Sequence, residues 1–311
     1  MMPKRSIPLS AQELSAAIRE ERPYDAARLD RVLRVDDRDG LAEVQACTSW
    51  QAIAATLRPG DERAAQAPTA MASVGESLAY NAPGPDGRPA VTYVESIAVV
   101  MPNGELRRAS RTANRELFSL VAGGHGVFGA LYSVTLDIDE LSRAVNEAAR
   151  PQVLSFEQKP KCRPLRLLIP PEKLDAFLAD ARSLSREWRM ELVDIEVRNT
   201  APEKDSFLRW ARRDYAAVTL RLAAPPVLGA AVRTTQLRRD LIEAAIGLGG
   251  SFAVSCTPEA TRSQVEACYP QLPGFLAEKR RLDPGERMVN PWYLHYRRLF
   301  SGQGCAVRFA N

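Results

Sequence analysis

The run Gly123-Gly124-His125-Gly126-Val127-Phe128-Gly129 lies between a helix-patterned stretch, 115–121, and an alternating strand, 130–138. This order of helix, glycine loop and strand constrains the fold more than any other feature. Gly124 to Gly129 formally satisfies G-x-G-x-x-G, but the dinucleotide-binding use of that pattern needs a strand before it and a helix after it. Here the order is reversed, so no helix N-terminus faces the loop and that mode of phosphate binding loses its physical basis. Without Cβ atoms the glycines still admit a close neighbour, either a ligand such as an adenine or an adjacent strand.

The rest of the chain supplies both kinds of element. Ser10 with Glu13 predicts a capped amphipathic helix carrying Leu14, Ala17 and Ile18. Residues 32–35 and 42–46 alternate as a hairpin around Asp36-Asp37-Arg38-Asp39-Gly40, and 50–57 reads as a short helix. Loops follow at 58–70 and 81–89, where proline and glycine recur. Asn103-Gly104 predicts a turn joining strands 94–101 and 106–109, and Asn114 is placed to cap the helix 115–121. Residues 139–163 read as a connector. Beyond it come strand 165–169, helix 171–186, strand 190–198, helix 203–213, strand 216–223, helix 230–247 and strand 251–256. Two further helices follow, one at 262–268 and one ending at Glu278-Lys279-Arg280-Arg281, before an aromatic tail. The fold class is α+β, with helices packed on one face of an antiparallel sheet in the second half.

Composition narrows the chemistry. With 311 residues, 45% of them hydrophobic, the chain can bury a core of about two domains. Lys plus Arg number 42 against 38 Asp plus Glu, and the charges are dispersed, so nucleic acid is not expected as a partner. Five cysteines, Cys47, Cys162, Cys256, Cys268 and Cys305, show no metal or redox spacing and read as free thiols. Two histidines, His125 and His295, leave little for a metal centre, and none is expected. The N-terminal stretch lacks an apolar signal core and no run is long enough to span a membrane, which predicts a cytoplasmic protein without a membrane partner.

Three places carry candidate chemistry. Glu196 and Arg198, two apart on a predicted strand, leave the same face. Together they could orient a hydroxyl, hold an anion or exchange a proton, or they could form an ordinary surface ion pair. His125 reads as structural or as a proton carrier beside a cavity. Tyr293, His295, Tyr296, Arg297 and Arg298 suggest an exposed docking tail over 292–300, which fits a homodimer.

Several stretches together resemble the FAD-linked oxidase superfamily that includes vanillyl-alcohol oxidase, aldonolactone and alditol oxidases, and cytokinin dehydrogenase. They are Leu29-Asp30-Arg31-Val32-Leu33 with Val44-Gln45-Ala46 and Trp50; Val74-Gly75-Glu76-Ser77-Leu78-Ala79-Tyr80-Asn81; Val94-Glu95-Ser96; and Glu116-Leu117-Phe118 leading into Gly123 to Gly129 and Ser133-Val134-Thr135-Leu136. Near the end, Asp283-Pro284, Asn290 and Trp292-Tyr293 resemble the closing segment of that family.

The resemblance implies a two-subdomain FAD-binding (PCMH-type) domain over 1–150, an α+β substrate domain over 151–275, and a segment 276–311 that returns to the first. It implies hydride transfer from a small-molecule substrate to non-covalent FAD. Gly75, Ser77, Leu78 and Asn81 would lie along the flavin and diphosphate; Gly124, Gly126, Gly129 and Leu131 would offer backbone to the adenosine half; Asn290 would approach the ring. Glu196 and Arg198 look like the Glu-x-Arg pair that holds the substrate hydroxyl.

The departures bear on function too. The family's glycine-rich diphosphate loop is missing, because Arg22-Pro23-Tyr24-Asp25 joins its flanking elements directly, and Glu76 and Pro83 replace a usual glycine and a common histidine. A carboxylate near a diphosphate repels it. The expected function is a divergent FAD-linked oxidoreductase of a small hydroxylated substrate, with flavin binding weakened or lost. A cofactor-free cyclase or lyase on the same scaffold and a non-catalytic partner-binding subunit are the alternatives.

Overall fold

A computed structural model describes residues 5–57, 71–147, 152–155, 163–223 and 228–301. The chain divides into two compact units. Unit 1 comprises Met1–Ala148, Glu203–Arg209 and Gly274–Asn290; unit 2 comprises Ala149–Pro202, Trp210–Pro273 and Pro291–Asn311.

In unit 1, the Ser10 hydroxyl accepts the Glu13 amide at 3.2 Å and caps α1 (Ala11–Arg19). The Glu13 carboxylate reaches back to the Leu9 amide at 2.7 Å, one residue earlier than in a standard capping box. The apolar stripe of α1 packs Leu14 and Ile18 against Leu29 and Val100. Next come β1 (Val32–Asp36), β2 (Leu41–Gln45), α2 (Trp50–Leu57) and α3 (Val74–Ala79). The Asn103-Gly104 turn, with Gly104 at φ +81°, joins β3 (Val94–Val100) to β4 (Leu106–Ser110) as expected. The unit continues with α4 (Arg115–Val121), β5 (Ala130–Asp137) and α5 (Ile138–Glu147). Its antiparallel sheet runs β1-β2-β5-β3-β4, so the strand after the glycine loop is central. Asn114 does not cap α4 through its side chain. It sits at φ +51° and donates its amide to the Arg108 carbonyl at 2.7 Å, which closes the turn from β4.

Unit 2 holds β6 (Gln152–Ser155), β7 (Leu165–Ile169), α6 (Leu174–Glu187), β8 (Glu191–Thr200), β9 (Tyr215–Ala223), α7 (Ala230–Gly247), β10 (Ser251–Phe252) and α8 (Arg262–Cys268). Helix α9 (Leu272–Leu282) carries the chain back into unit 1, and α10 (Pro291–Phe300) returns it to unit 2. The sheet runs β10-β7-β9-β8-β6 and every pair is antiparallel. One face is apolar, carrying Leu165, Leu167, Ile169, Val218, Leu220, Ile195 and Val197, all buried. Phe177, Leu178 and Ala181 of α6 and Leu237, Leu241 and Ile242 of α7 are buried with it. At roughly 1.5–3 kcal/mol per large side chain, this layer dominates the stability of the unit.

Several sequence expectations are corrected. Residues 203–213 form turns and no helix, because the Glu203 carboxylate caps the amides of Asp205 and Ser206 at 2.7 and 2.9 Å. The last strand stops at Phe252 and passes into a 3-10 turn, Val254–Cys256. The supposed connector after residue 138 contains α5 and β6. The aromatic tail is a core helix: Tyr293 and Tyr296 are buried, and Trp292 donates its indole N–H to the Val254 carbonyl at 3.1 Å. Cys47, Cys256 and Cys268 are free thiols; Cys162, Cys305 and the 58–70 loop lie outside the described residues. Among the described residues no helix is long and apolar enough to cross a membrane.

Candidate functional site

The residues that the resemblance assigns to a cofactor converge within unit 1. The Gly123 amide donates to the Leu78 carbonyl at 2.9 Å and the His125 amide to the Ala79 carbonyl at 2.8 Å, so the glycine loop is laced onto the end of α3. The Asn290 side chain donates to the His125 carbonyl at 2.7 Å from the far end of the chain. Gly75, Ser77, Leu78, Asn81, Gly124 and Asn290 are thus brought together.

Most of these positions are already occupied by the protein's own contacts. The Gly75 amide donates to the Ala46 carbonyl at 2.7 Å, and a Cβ here would lie 2.7 Å from that same oxygen. Ser77 accepts the Trp50 indole N–H at 2.9 Å and donates to the Ser73 carbonyl at 2.9 Å. Gly124 turns tightly over the Leu120 carbonyl. A Cβ on Gly129 would lie 2.6 Å from the Val100 carbonyl, and Leu131 pairs with Val99 in the same β5–β3 ladder. Gly126 differs. It lies at φ +71°, is exposed, and nothing within 4 Å would meet a Cβ, so its backbone is open to an approaching group.

Asn81 anchors a buried polar cluster that sequence reasoning missed. At φ +45°, its side-chain oxygen accepts the Val91 amide at 3.0 Å, and its nitrogen reaches Glu203 at 3.5 Å and Ser206 at 3.4 Å. Arg111 ties the same segment down through Asp205 at 2.9 Å and the Val91 carbonyl at 2.9 Å. Burial raises the Glu203 carboxyl above its usual range, against the opposing pull of the Ser206 and Asp205 donors. His125 is buried against the edge of the Tyr80 ring, with centroids 5.0 Å apart, and burial pushes its imidazole down to about 3. It is therefore neutral at physiological pH.

The second constellation lies on the polar face of the unit 2 sheet. Ladder register places Glu196 opposite Thr219 and Arg198 opposite Ala217 on β9, and Thr219 opposite Arg166 on β7. Directly opposed residues share a face, so Arg166, Thr219 and Glu196 form one row. Arg198 donates Nε–H to Glu196 Oε1 at 2.6 Å, with both side chains about three-quarters buried, 23% and 25% exposed. One row further along, Arg221 pairs with the buried Asp194, whose Oδ1 has no hydrogen-bond partner. The sequence reading found Glu196 and Arg198; the alternation Leu165-Arg166-Leu167 was the available signal for Arg166.

No protein-family model matches the sequence, and no curated protein matches it. Solved structures do. A chitooligosaccharide oxidase superposes with a TM-score of 0.63 at 11% identity, covering 92% of this chain and 90% of that one. BBE-like 1 of Physcomitrella patens superposes with a TM-score of 0.60 at 10% identity, over 93% of this chain and 92% of that one. The α+β architecture with two antiparallel sheets is therefore a fold shared with these solved structures, in keeping with the fold that the resemblance implied.

The diphosphate of FAD can be tested against the residues present. Around the joint after α1, the amides of Glu20, Glu21, Arg22, Asp25 and Ala27 donate to Ala16, Ile18, Ala17, Ser6 and the Asp25 side chain. At the start of α3, Val74, Gly75, Glu76 and Ser77 donate to Thr48, Ala46, the Ser73 hydroxyl and the Ser73 carbonyl. Glu76 adds a carboxylate there, accepting the Ala72 amide at 3.1 Å. A diphosphate needs several free amide donors, and these two segments do not fit it.

Proposed function

We propose that this chain is a divergent protein on an oxidoreductase-like scaffold that acts on a small hydroxylated substrate at Glu196 and Arg198, with its grip on FAD weakened or lost. The Glu196–Arg198 pair, set on a polar sheet face opposite the helix-covered one, carries this reading. A substrate hydroxyl donates to the Glu196 carboxylate while the remaining guanidinium N–H groups of Arg198 donate to its oxygen. Glu196 then takes the hydroxyl proton, and Arg198 stabilises the negative charge that develops on that oxygen.

The committed amides at Gly75 and along the α1 joint favour a second reading within the same frame. A carboxylate and a guanidinium acting as acid/base and anion holder are sufficient for ring closure or elimination without a redox cofactor. Absorbance of the protein as isolated, followed by equilibrium dialysis with FAD, tests the weakened grip. We expect a colourless protein that retains little FAD. Stoichiometric yellow coenzyme would overturn that part of the proposal, and a folded Glu196→Gln variant with full activity would overturn the part concerning the pair.

A further inference from the structure

The polar face of the unit 2 sheet has an unequal charge account. Asp194 is paired with Arg221 and Glu196 with Arg198. The third arginine, Arg166, is half-buried, and among the described residues no ion pair or hydrogen bond engages its guanidinium. It stands in the row Arg166, Thr219, Glu196, two strand spacings from the carboxylate. At about 4.8 Å per strand, the two backbones are roughly 10 Å apart. Between the long side chains stands Thr219, flanked one row along on β9 by Ala217 on one side and by Arg221, held by Asp194, on the other.

A half-buried guanidinium calls for a counter-charge, and its planar fork matches a carboxylate through two parallel N–H···O bonds. We infer that the substrate is a hydroxy acid, its carboxylate held by Arg166 and its hydroxyl by Glu196 and Arg198 across the short floor of Thr219 and Ala217. The spacing suits a chain of roughly three to six carbons. This assignment rests on the reading of Glu196 and Arg198 given above and adds the charge class of the substrate.

Isothermal titration of the full chain at low ionic strength, with D-gluconate against D-sorbitol and D-glycerate against glycerol, tests it. In the wild type each acid binds at least about tenfold more tightly than its neutral alcohol, the size of one charge-assisted contact. Arg166→Gln brings that ratio close to one and Arg166→Lys restores part of it, with circular dichroism confirming that both variants are folded. Equal binding of acid and alcohol by the wild type, an unchanged ratio in Arg166→Gln, acetate binding as tightly as gluconate, or no binding of any probe overturns the inference. Glu196→Gln separates the two claims. If it weakens acids and alcohols alike while Arg166→Gln leaves their ratio unchanged, the Glu196 reading stands and the acid assignment falls. If Arg166→Gln abolishes acid binding and Glu196→Gln alters nothing, the reverse holds.

Discussion

His125 makes unit 1 acid-sensitive by an amount that can be worked out. Its imidazole moves from the ordinary 6.5 to about 3 because it is buried, so the unfolded chain binds a proton that the folded chain refuses. The sign follows directly. Above pH 6.5 neither state is protonated and the group is neutral in the balance; as the pH falls from 6.5 toward 3, stability is progressively lost. At pH 5.0 the unfolded histidine lies about 1.5 pH units below its pKa, and at about 1.4 kcal/mol per unit this removes about 2 kcal/mol relative to pH 7.5. Chemical unfolding of the wild type and of His125→Asn at both pH values isolates the contribution, since the carboxylates are common to both proteins. Asparagine tolerates the φ of +56° at this position better than most residues. The pH-dependent loss should be smaller in His125→Asn by about 2 kcal/mol. An NMR titration of the wild-type ring needs no variant; a midpoint near 6.5 in the folded protein, or identical pH slopes for the two proteins, would refute the reasoning.

Two further outcomes concern stability. Gly75→Ala should destabilise unit 1 by about 1–3 kcal/mol in thermal or urea melts, because the new Cβ meets the Ala46 backbone oxygen at 2.7 Å and backbone cannot swing aside. A neutral result would free Gly75 for the ligand role that the resemblance implies. Asp283→Ala should cost about 3–5 kcal/mol, since it removes the carboxylate paired with the buried Lys279 ammonium, which is also the acceptor for the Arg287 and Met288 amides at 3.0 and 2.9 Å. A melt within about 1 kcal/mol of wild type would show that the pair is dispensable.

Elements with strong local signals were legible in the sequence. The Ser10 cap, the Asn103-Gly104 hairpin and α7 have the period or turn chemistry that specifies them without help from distant residues. Residues 203–213 misled because their helical composition yields to a carboxylate that captures two local amides and an asparagine more than a hundred positions away. No window of sequence contains that partner. The same holds for the glycines: their spacing is visible, yet whether a carbonyl or open space faces each one depends on strands that meet only in the fold. Glu196 and Arg198 were legible because strand period alone puts them on one side. Arg166 was not, because its relation to them passes through the register of two neighbouring ladders.

The Asn81 cluster has a consequence for dissecting this protein. The residues it grips, Glu203 to Ser206, belong to unit 1, yet they lie in the link between β8 and β9, two paired strands of unit 2. With the later passages at residues 273 and 290, the polypeptide switches allegiance five times, so no single cut releases either half intact. Expression of fragments should give insoluble or partly folded pieces, because each half is assembled from three separated stretches of the polypeptide.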